Sequence, residues 1–445
     1  MGVKGLQKII NHFASESIAK KEFKDFRGST KSMDAAITLY KFCIALMNTK
    51  HFATDQGVVI GHLFACFFKS LSMLKYGIMP LWVFDGTPPV IKQATLNERR
   101  KIKDNATNKL THINLPHDEK VKLIKRTFSV SSKHIEEIKY LLNLMGLNYV
   151  DAPGEAEAQC AALDKATVTD GVVTEDWDVI LFGCKKMLKD FSNKSLVTEI
   201  DVAKMMTLLG MNREQLIDLG SILGNDYCNG IAGIKPLDAY TKFKLCDYNM
   251  EKFLESLKND TNQKNKYKIP EKFKNDWKLA KEYYLHAPVL NPVEVNIIWN
   301  EPNYAELKKY LIDIKKLNNY DLVDKINDLK LLYDEYIKND CKLLTLSKIK
   351  NNARDYNYPS RYEQIIRSSA TSRNSQLKIK PTPIVKNKHK IKPVDKFKFI
   401  DNDNPYEIIK NINYDDNIIN MLKGIINNYE YSKIEHLTNQ IAVKT

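Results

Sequence analysis

Short apolar runs that stop at an acid recur through the first half of the chain and alternate with longer stretches of helical period. Leu81-Trp82-Val83-Phe84 is a compact strand ending in Asp85-Gly86, and Gly171-Val172-Val173-Thr174 stops in the same way before Glu175-Asp176. Residues 29–33 make a poorer strand by propensity, placed just ahead of Asp34. Helical periodicity covers residues 135–145 and 202–223, and a further helical run, 156–163, begins just after Glu155. Strands alternating with helices predict an α/β fold with a mostly parallel central sheet flanked by helices. Ligands of such sheets gather beyond the carboxyl ends of the strands. Asp34, Asp85 and Asp176 all fall there.

The pattern changes between about 90 and 132. Lys92, Arg99, Arg100, Lys101, Lys103, Lys109, Lys120, Lys122, Lys125 and Arg126 line a polar, helix-compatible stretch interrupted at 114–116. Spacing alone fits a solvated charged hairpin, whereas its position straight after Asp85 fits an arch over a site. Near Gly230-Ile231-Ala232-Gly233-Ile234 a glycine-hinged turn separates helices. Such a turn either connects two helices or holds a phosphate and a monovalent cation on its backbone groups. Residues 258–274 are rich in Lys and Asn and predict an exposed loop. From about 340 the composition turns basic and polar, with closely set lysines at 378–392 inside a stretch (369–398) that predicts a tether. A short amphipathic segment, 408–426, follows it.

At 445 residues and 43% hydrophobic, the chain is long enough for a substantial core. Its 68 Lys and Arg exceed its 54 Asp and Glu, for a net charge of +14, although the notable acids lie in clusters. The excess positive charge favours a polyanionic partner. The seven cysteines are scattered in apolar surroundings without CxxC pairs, as expected of reduced side chains in an intracellular protein. No apolar run approaches the ~20 residues of a membrane span.

The acids then define the chemistry. Asp34, Asp85, Glu155, Glu157, Asp176, Asp178 and Asp226 would repel one another if gathered without a counter-charge, and oxygen-only ligands suit hard cations. Two such ions roughly 4 Å apart can clamp the attacking and leaving oxygens of a phosphodiester. Asp176 and Asp178, two apart, point the same way if their backbone is extended. Glu155 and Glu157 diverge on a helix, so they share a site only if Glu155 lies in the entry turn. Each also has a plain structural use: a solvated turn for the Asp pair, helix N-terminal charge for the Glu pair, a cap for Asp226.

The words MGVKGL, MDAAITLYKF, LWVFDGTPP, YVDAPGEAEAQCAAL, TEDWDVILFG and LGNDYCNGIAGI, followed by PVLNP and WNEPN, closely resemble the flap structure-specific endonucleases of the xeroderma pigmentosum group G type. The resemblance spans roughly residues 1–311. It implies a PIN-like 5′ nuclease fold with a helical arch and a helix-two-turn-helix DNA-binding element. It implies that Asp34, Asp85, Glu155 and Glu157 hold one magnesium and that Asp176, Asp178 and Asp226 hold a second, with manganese able to substitute. Lys92 and Arg99 match the basic pair that steadies the scissile phosphate, and Tyr40 matches a ring that stacks on an unpaired base. Gly230, Gly233 and Lys235 fall in the DNA-gripping turn, where the family implies potassium. Here the relatives' Gly-Ile-Gly-Pro reads Gly233-Ile234-Lys235-Pro236, which alters that turn. Met47 and Ser72 stand where close relatives commonly carry Arg.

The resulting expectation is a monomeric, magnesium-dependent 5′ flap endonuclease acting on branched DNA in replication, repair or recombination, in the nucleus or at a viral replication site. A 5′ to 3′ exonuclease or Holliday-junction resolvase of the same fold is the nearest enzymatic alternative, and a DNA-structure binding protein the non-enzymatic one. The expected divisions are a nuclease core at 1–340, a basic linker at 341–400 and a C-terminal extension at 401–445. Within the core come an N-terminal nuclease region at 1–105, the arch at 90–132, an internal region at 133–260 and the helix-two-turn-helix at 216–245. No sliding-clamp motif is recognisable in the tail.

Overall fold

The computed structural model describes residues 2–47, 53, 59–110, 116–259, 267–317 and 321–338. The expected linker, extension and amphipathic segment lie outside them. Seven strands, β1 (Ile18–Lys21), β2 (Thr30–Asp34), β3 (Met79–Phe84), β4 (Tyr149–Asp151), β5 (Val172–Val173), β6 (Lys186–Lys189) and β7 (Val197–Asp201), form one sheet in the order β1-β7-β6-β5-β2-β3-β4. The five strands from β6 to β4 run parallel, while β7 is antiparallel to both β6 and β1. This is the mostly parallel sheet the sequence predicts.

Alternation along the strands divides the core. Leu81, Val83 and Val172 enter one apolar cluster with the helices Leu6–Phe13, Ala156–Lys165 and Arg213–Leu223. Met33, Trp82, Phe84 and Val173 enter a second, with the helices Gly61–Lys75 and Ser132–Leu144. Strand β2 is central despite its weak propensity because its polar residues are satisfied inside: the Lys31 ammonium donates to the Asp170 carbonyl at 2.5 Å, and the Ser32 and Thr169 hydroxyls lie 3.3 Å apart. Register aligns Asp34 with Val83 and Met33 with Val173, so the chain leaves β2, β3 and β5 along a single edge.

The basic stretch forms two helices, Gln93–Leu110 and His117–Thr127, packed against each other. A third, small apolar cluster of Cys43, Met47, Val59, Ala106, Leu110, Leu123, Ile124 and Phe128 seats this arch on the helix Ala35–Leu46. Met47 is therefore a packing residue, and its side chain is 5% exposed.

Three expectations change. Residues 202–223 form two helices, Val202–Leu209 and Arg213–Leu223, because Gly210 ends the first at φ 65° and Asn212 caps the second. Both ends of the loop expected at 258–274 are ordered: Met250–Asn259 is helical, Lys268 pairs with Ala232 in an isolated bridge and a helix resumes at Phe273, while 260–266 lie outside the described residues. Strand β5 stops at Val173, so Asp176 and Asp178 do not share an extended backbone. Of the cysteines, Cys43, Cys66, Cys160, Cys184 and Cys228 are free and buried and Cys246 is half-buried. Among the described residues no helix is long and apolar enough to cross a membrane.

Candidate active site

Asp34 is both the last residue of β2 and the N-cap of Ala35–Leu46, its Oδ1 accepting from the Ile37 amide at 3.1 Å. Asp85 follows β3, and its Oδ1 accepts from the Ala156 amide at 2.9 Å, which ties it to the start of the next helix. Glu155 is the N-cap of that helix, with extended φ and ψ of −83° and 140°, and Glu157 lies in its first turn. Glu155 thus occupies the entry turn, the one arrangement in which the two glutamates face a common space. Gly86 makes this approach possible. Its amide donates to the Gly154 carbonyl at 2.7 Å, and a Cβ at this position would be driven into the carbonyl oxygens of Ala152 and Pro153.

Beyond β5 the pair is built as a helix entry. The Asp178 amide donates to Asp176 Oδ1 at 3.1 Å, the Asp176 amide donates to the Thr174 hydroxyl at 3.1 Å, and Asp178 opens the short helix Asp178–Phe182. Both side chains still reach the interior, because the side-chain bond folds the turn around them. Asp226 sits in the loop after Arg213–Leu223. The capping expected of it falls to Asn225, whose Oδ1 accepts from the Tyr227 and Cys228 amides at 2.9 and 2.8 Å.

Asp34, Asp85, Glu155, Glu157, Asp176 and Asp226 line one cleft of about 290 Å³ with Lys92 and Arg99, and Asp178 lies against it beside Asp176. Lys92 Nζ bonds Glu155 and stands 3.1 Å from Asp226 Oδ2. Arg99 Nη2 straddles Asp226 at 2.7 and 2.9 Å from its two oxygens, and the Thr95 hydroxyl donates to the Asp226 carbonyl at 2.7 Å. The base of the arch is therefore pinned to the cleft by the two cations singled out in the sequence.

The electrostatics are those of crowded acids. Burial, then the charge of Asp85, pushes Asp34 up to about 7. Burial, then Asp34, Asp85 and Asp176, holds Glu157 well above the carboxylate range, and burial with Asp176 and Asp226 does the same to Asp178. Asp176 and Glu155 are raised by burial as well, the latter in spite of Lys92. Burial opposes the charge on Lys92, but Glu155, Asp226 and Glu157 outweigh it and raise its pKa.

Among the described residues, no three His, Cys, Asp or Glu side chains are drawn together closely enough to hold a metal ion as they stand. The donors fit divalent cations on two other grounds. All are oxygens, the chemistry hard cations take, and Asp178 Oδ1 is buried without a hydrogen-bond partner.

Tyr40 lies under the arch, its hydroxyl donating to the Lys125 carbonyl at 3.2 Å and its ring 6.1 Å from that of Phe128. Gly230 and Gly233 take φ of 74° and 90° in the loop between the helices Arg213–Leu223 and Pro236–Leu245. Lys235 is the exposed N-cap of the second helix and does not line the cleft. Sequence reasoning missed Tyr227, whose buried hydroxyl donates to Glu155 Oε2. The only signal for it was its place beside Asp226.

Residues 1–106 match the XPG N-terminal domain and residues 146–226 the XPG I-region. Flap endonuclease 1 of Vanderwaltozyma polyspora is 35% identical over 339 residues, covering 74% of this chain and 88% of the relative. Flap endonuclease 1 of Homo sapiens is 34% identical over 328 residues, covering 72% and 83%. A solved structure of the catalytic core of Rad2 in complex with DNA substrate superposes with a TM-score of 0.56 at 25% identity, over 74% of this chain and all of that one. The mostly parallel, helix-flanked sheet agrees with these likenesses, and the chain belongs to the flap endonuclease family of XPG-type structure-specific nucleases.

Proposed function

We propose that the chain is a magnesium-dependent 5′ flap endonuclease that hydrolyses one phosphodiester at the junction of branched DNA. The observation that carries this reading is the convergence of seven carboxylates from four strand ends and one interhelical loop on the base of a cationic two-helix arch. A binding module has no use for buried acids where a phosphate must come. Asp34, Asp85, Glu155 and Glu157 would hold one divalent ion and Asp176, Asp178 and Asp226 a second. Bound there, the ions supply Lewis acidity at phosphorus and lower the pKa of water.

The chain's own residues do the rest. Lys92 and Arg99, held at the rim by Glu155 and Asp226, present cationic donors to the incoming phosphate and offset charge that grows on its oxygens during attack. Tyr227 keeps the Glu155 carboxylate oriented. Tyr40, beneath the arch, offers a ring face to an unpaired base, and the loop with Gly230, Gly233 and Lys235 grips the duplex backbone, with potassium as its candidate cation. The protein acts as a monomer in the nucleus. Its yeast and mammalian relatives give a viral site no support.

End-labelled 5′ flap, nicked duplex, gapped duplex and four-way junction, each incubated with Mg²⁺, test the assignment. One cut at the base of the flap, at a rate at least about tenfold above the other substrates, is expected; symmetric cuts across the junction would make it a resolvase. Asp176→Ala should lose activity by roughly 10³-fold or more, since a ligand to the catalytic ions is gone, while flap binding in Ca²⁺ is retained.

A further inference from the structure

Arg213 is the first residue of the helix Arg213–Leu223, outside the acid cluster, and its guanidinium is given to main-chain oxygens of two other elements. Nε donates to the Leu181 carbonyl at 3.0 Å, and Nη2 donates to the Phe182 carbonyl at 2.8 Å and the Tyr284 carbonyl at 2.6 Å. Leu181 and Phe182 end the helix that Asp178 begins. The last carbonyls of a helix lack partners within it, and five residues are too few for a helix to sustain itself. The fork of Arg213 supplies what that helix cannot. Gly183, at φ 93°, leaves the room: a Cβ there would stand 2.9 Å from Arg213 Nε.

The third carbonyl extends the brace to a second helix, Phe273–His286. The Tyr284 ring lies 4.9 Å from that of Phe182 and 5.0 Å from that of Tyr227. Tyr227 follows Asp226 in the chain and bonds Glu155. One guanidinium thus joins the element carrying Asp178 to the aromatic stack that fixes Glu155 and borders Asp226.

We propose that Arg213 is a positioning residue that sets the separation of Asp178 from Asp226 and Glu155, and so the affinity of the Asp176–Asp178–Asp226 group for its divalent ion. The inference rests on the metal reading of these acids given above. A lysine cannot replace it, because one ammonium on a flexible stem does not span three carbonyls.

The test compares the full chain with Arg213→Lys and Arg213→Ala by Mn²⁺ titration without DNA, followed by electron paramagnetic resonance, alongside thermal melts and flap cleavage. Partners of this kind change metal affinity by about 10- to 100-fold. Arg213→Lys should melt cooperatively, bind one of two Mn²⁺ ions at least about tenfold more weakly, and recover part of its lost kcat at high Mn²⁺, with flap affinity in Ca²⁺ unchanged. Free guanidinium should restore part of the Mn²⁺ affinity to Arg213→Ala, and if that variant does not fold, Arg213→Lys decides alone. A purely structural loss would lower the amount of Mn²⁺ bound at saturation but leave the affinity of the folded fraction intact. Wild-type Mn²⁺ affinity in Arg213→Lys would overturn the proposal. A wild-type chain that takes up no Mn²⁺ would instead overturn the metal reading.

Discussion

Lys92 stands between Glu155 and Asp226, and its removal leaves two enclosed acids facing each other beside Arg99. Lys92→Ala is expected to lower kcat by roughly 10²- to 10³-fold, the cost of losing one charge-stabilising donor, with a smaller effect on flap affinity. Single-turnover cleavage against a binding titration in Ca²⁺ separates the two, and a loss confined to affinity would make Lys92 a docking residue. At this scale the acids were legible because an acid that ends an apolar run has one place to go in a parallel sheet. Tyr227 and Arg213 were not. Their partners lie 72 and 31 to 71 residues away, and nothing in the local pattern distinguishes a tyrosine that orients a carboxylate from one that fills the core.

The contact between the ends of β3 and β4 depends on the absence of a side chain at residue 86. Gly86→Ala should force the Asp85 turn away from Ala152 and Pro153, costing about 1–3 kcal/mol of stability as overpacking does. It should also reduce cleavage more than Mg²⁺-independent DNA binding, because it shifts Asp85 relative to Glu155. A denaturant midpoint and a cleavage rate measured on the same sample check this, and an unchanged midpoint would show that the turn yields freely. Element type was readable wherever the period was long, as in Ser132–Leu144. It failed where a single residue redirects the backbone: Asp176 accepts from the Asp178 amide in a turn where a strand end was expected, and Gly210 breaks what looked like one helix. Both are local features that a periodicity cannot register.

For the whole molecule the crowded acids carry a cost in stability that depends on pH. Asp34 takes up its proton at about 7 when folded, against an ordinary value of 3.8, so between those values the folded chain binds more protons than the unfolded one. Glu157, Asp176 and Asp178 shift in the same direction. Stability in chelator should therefore fall as pH rises from about 4 through about 7, and Mg²⁺ should restore more of it at pH 8 than at pH 5.5. Thermal melts at the two pH values, with and without the ion, measure this, and melting that rises with pH in chelator would contradict the electrostatic account.

The arch rests on the small third cluster, apart from the two that sandwich the sheet. With its base held by the Lys92 and Arg99 ion pairs, few apolar side chains must come free for the rest of the arch to lift, so its opening is a local event far below unfolding of the sheet in free energy. Amide protons of Gln93–Leu110 and His117–Thr127 would then exchange through that local opening, while those of β2 and β3 exchange only when the molecule comes apart. Such openings would recur many times within one lifetime of the folded core.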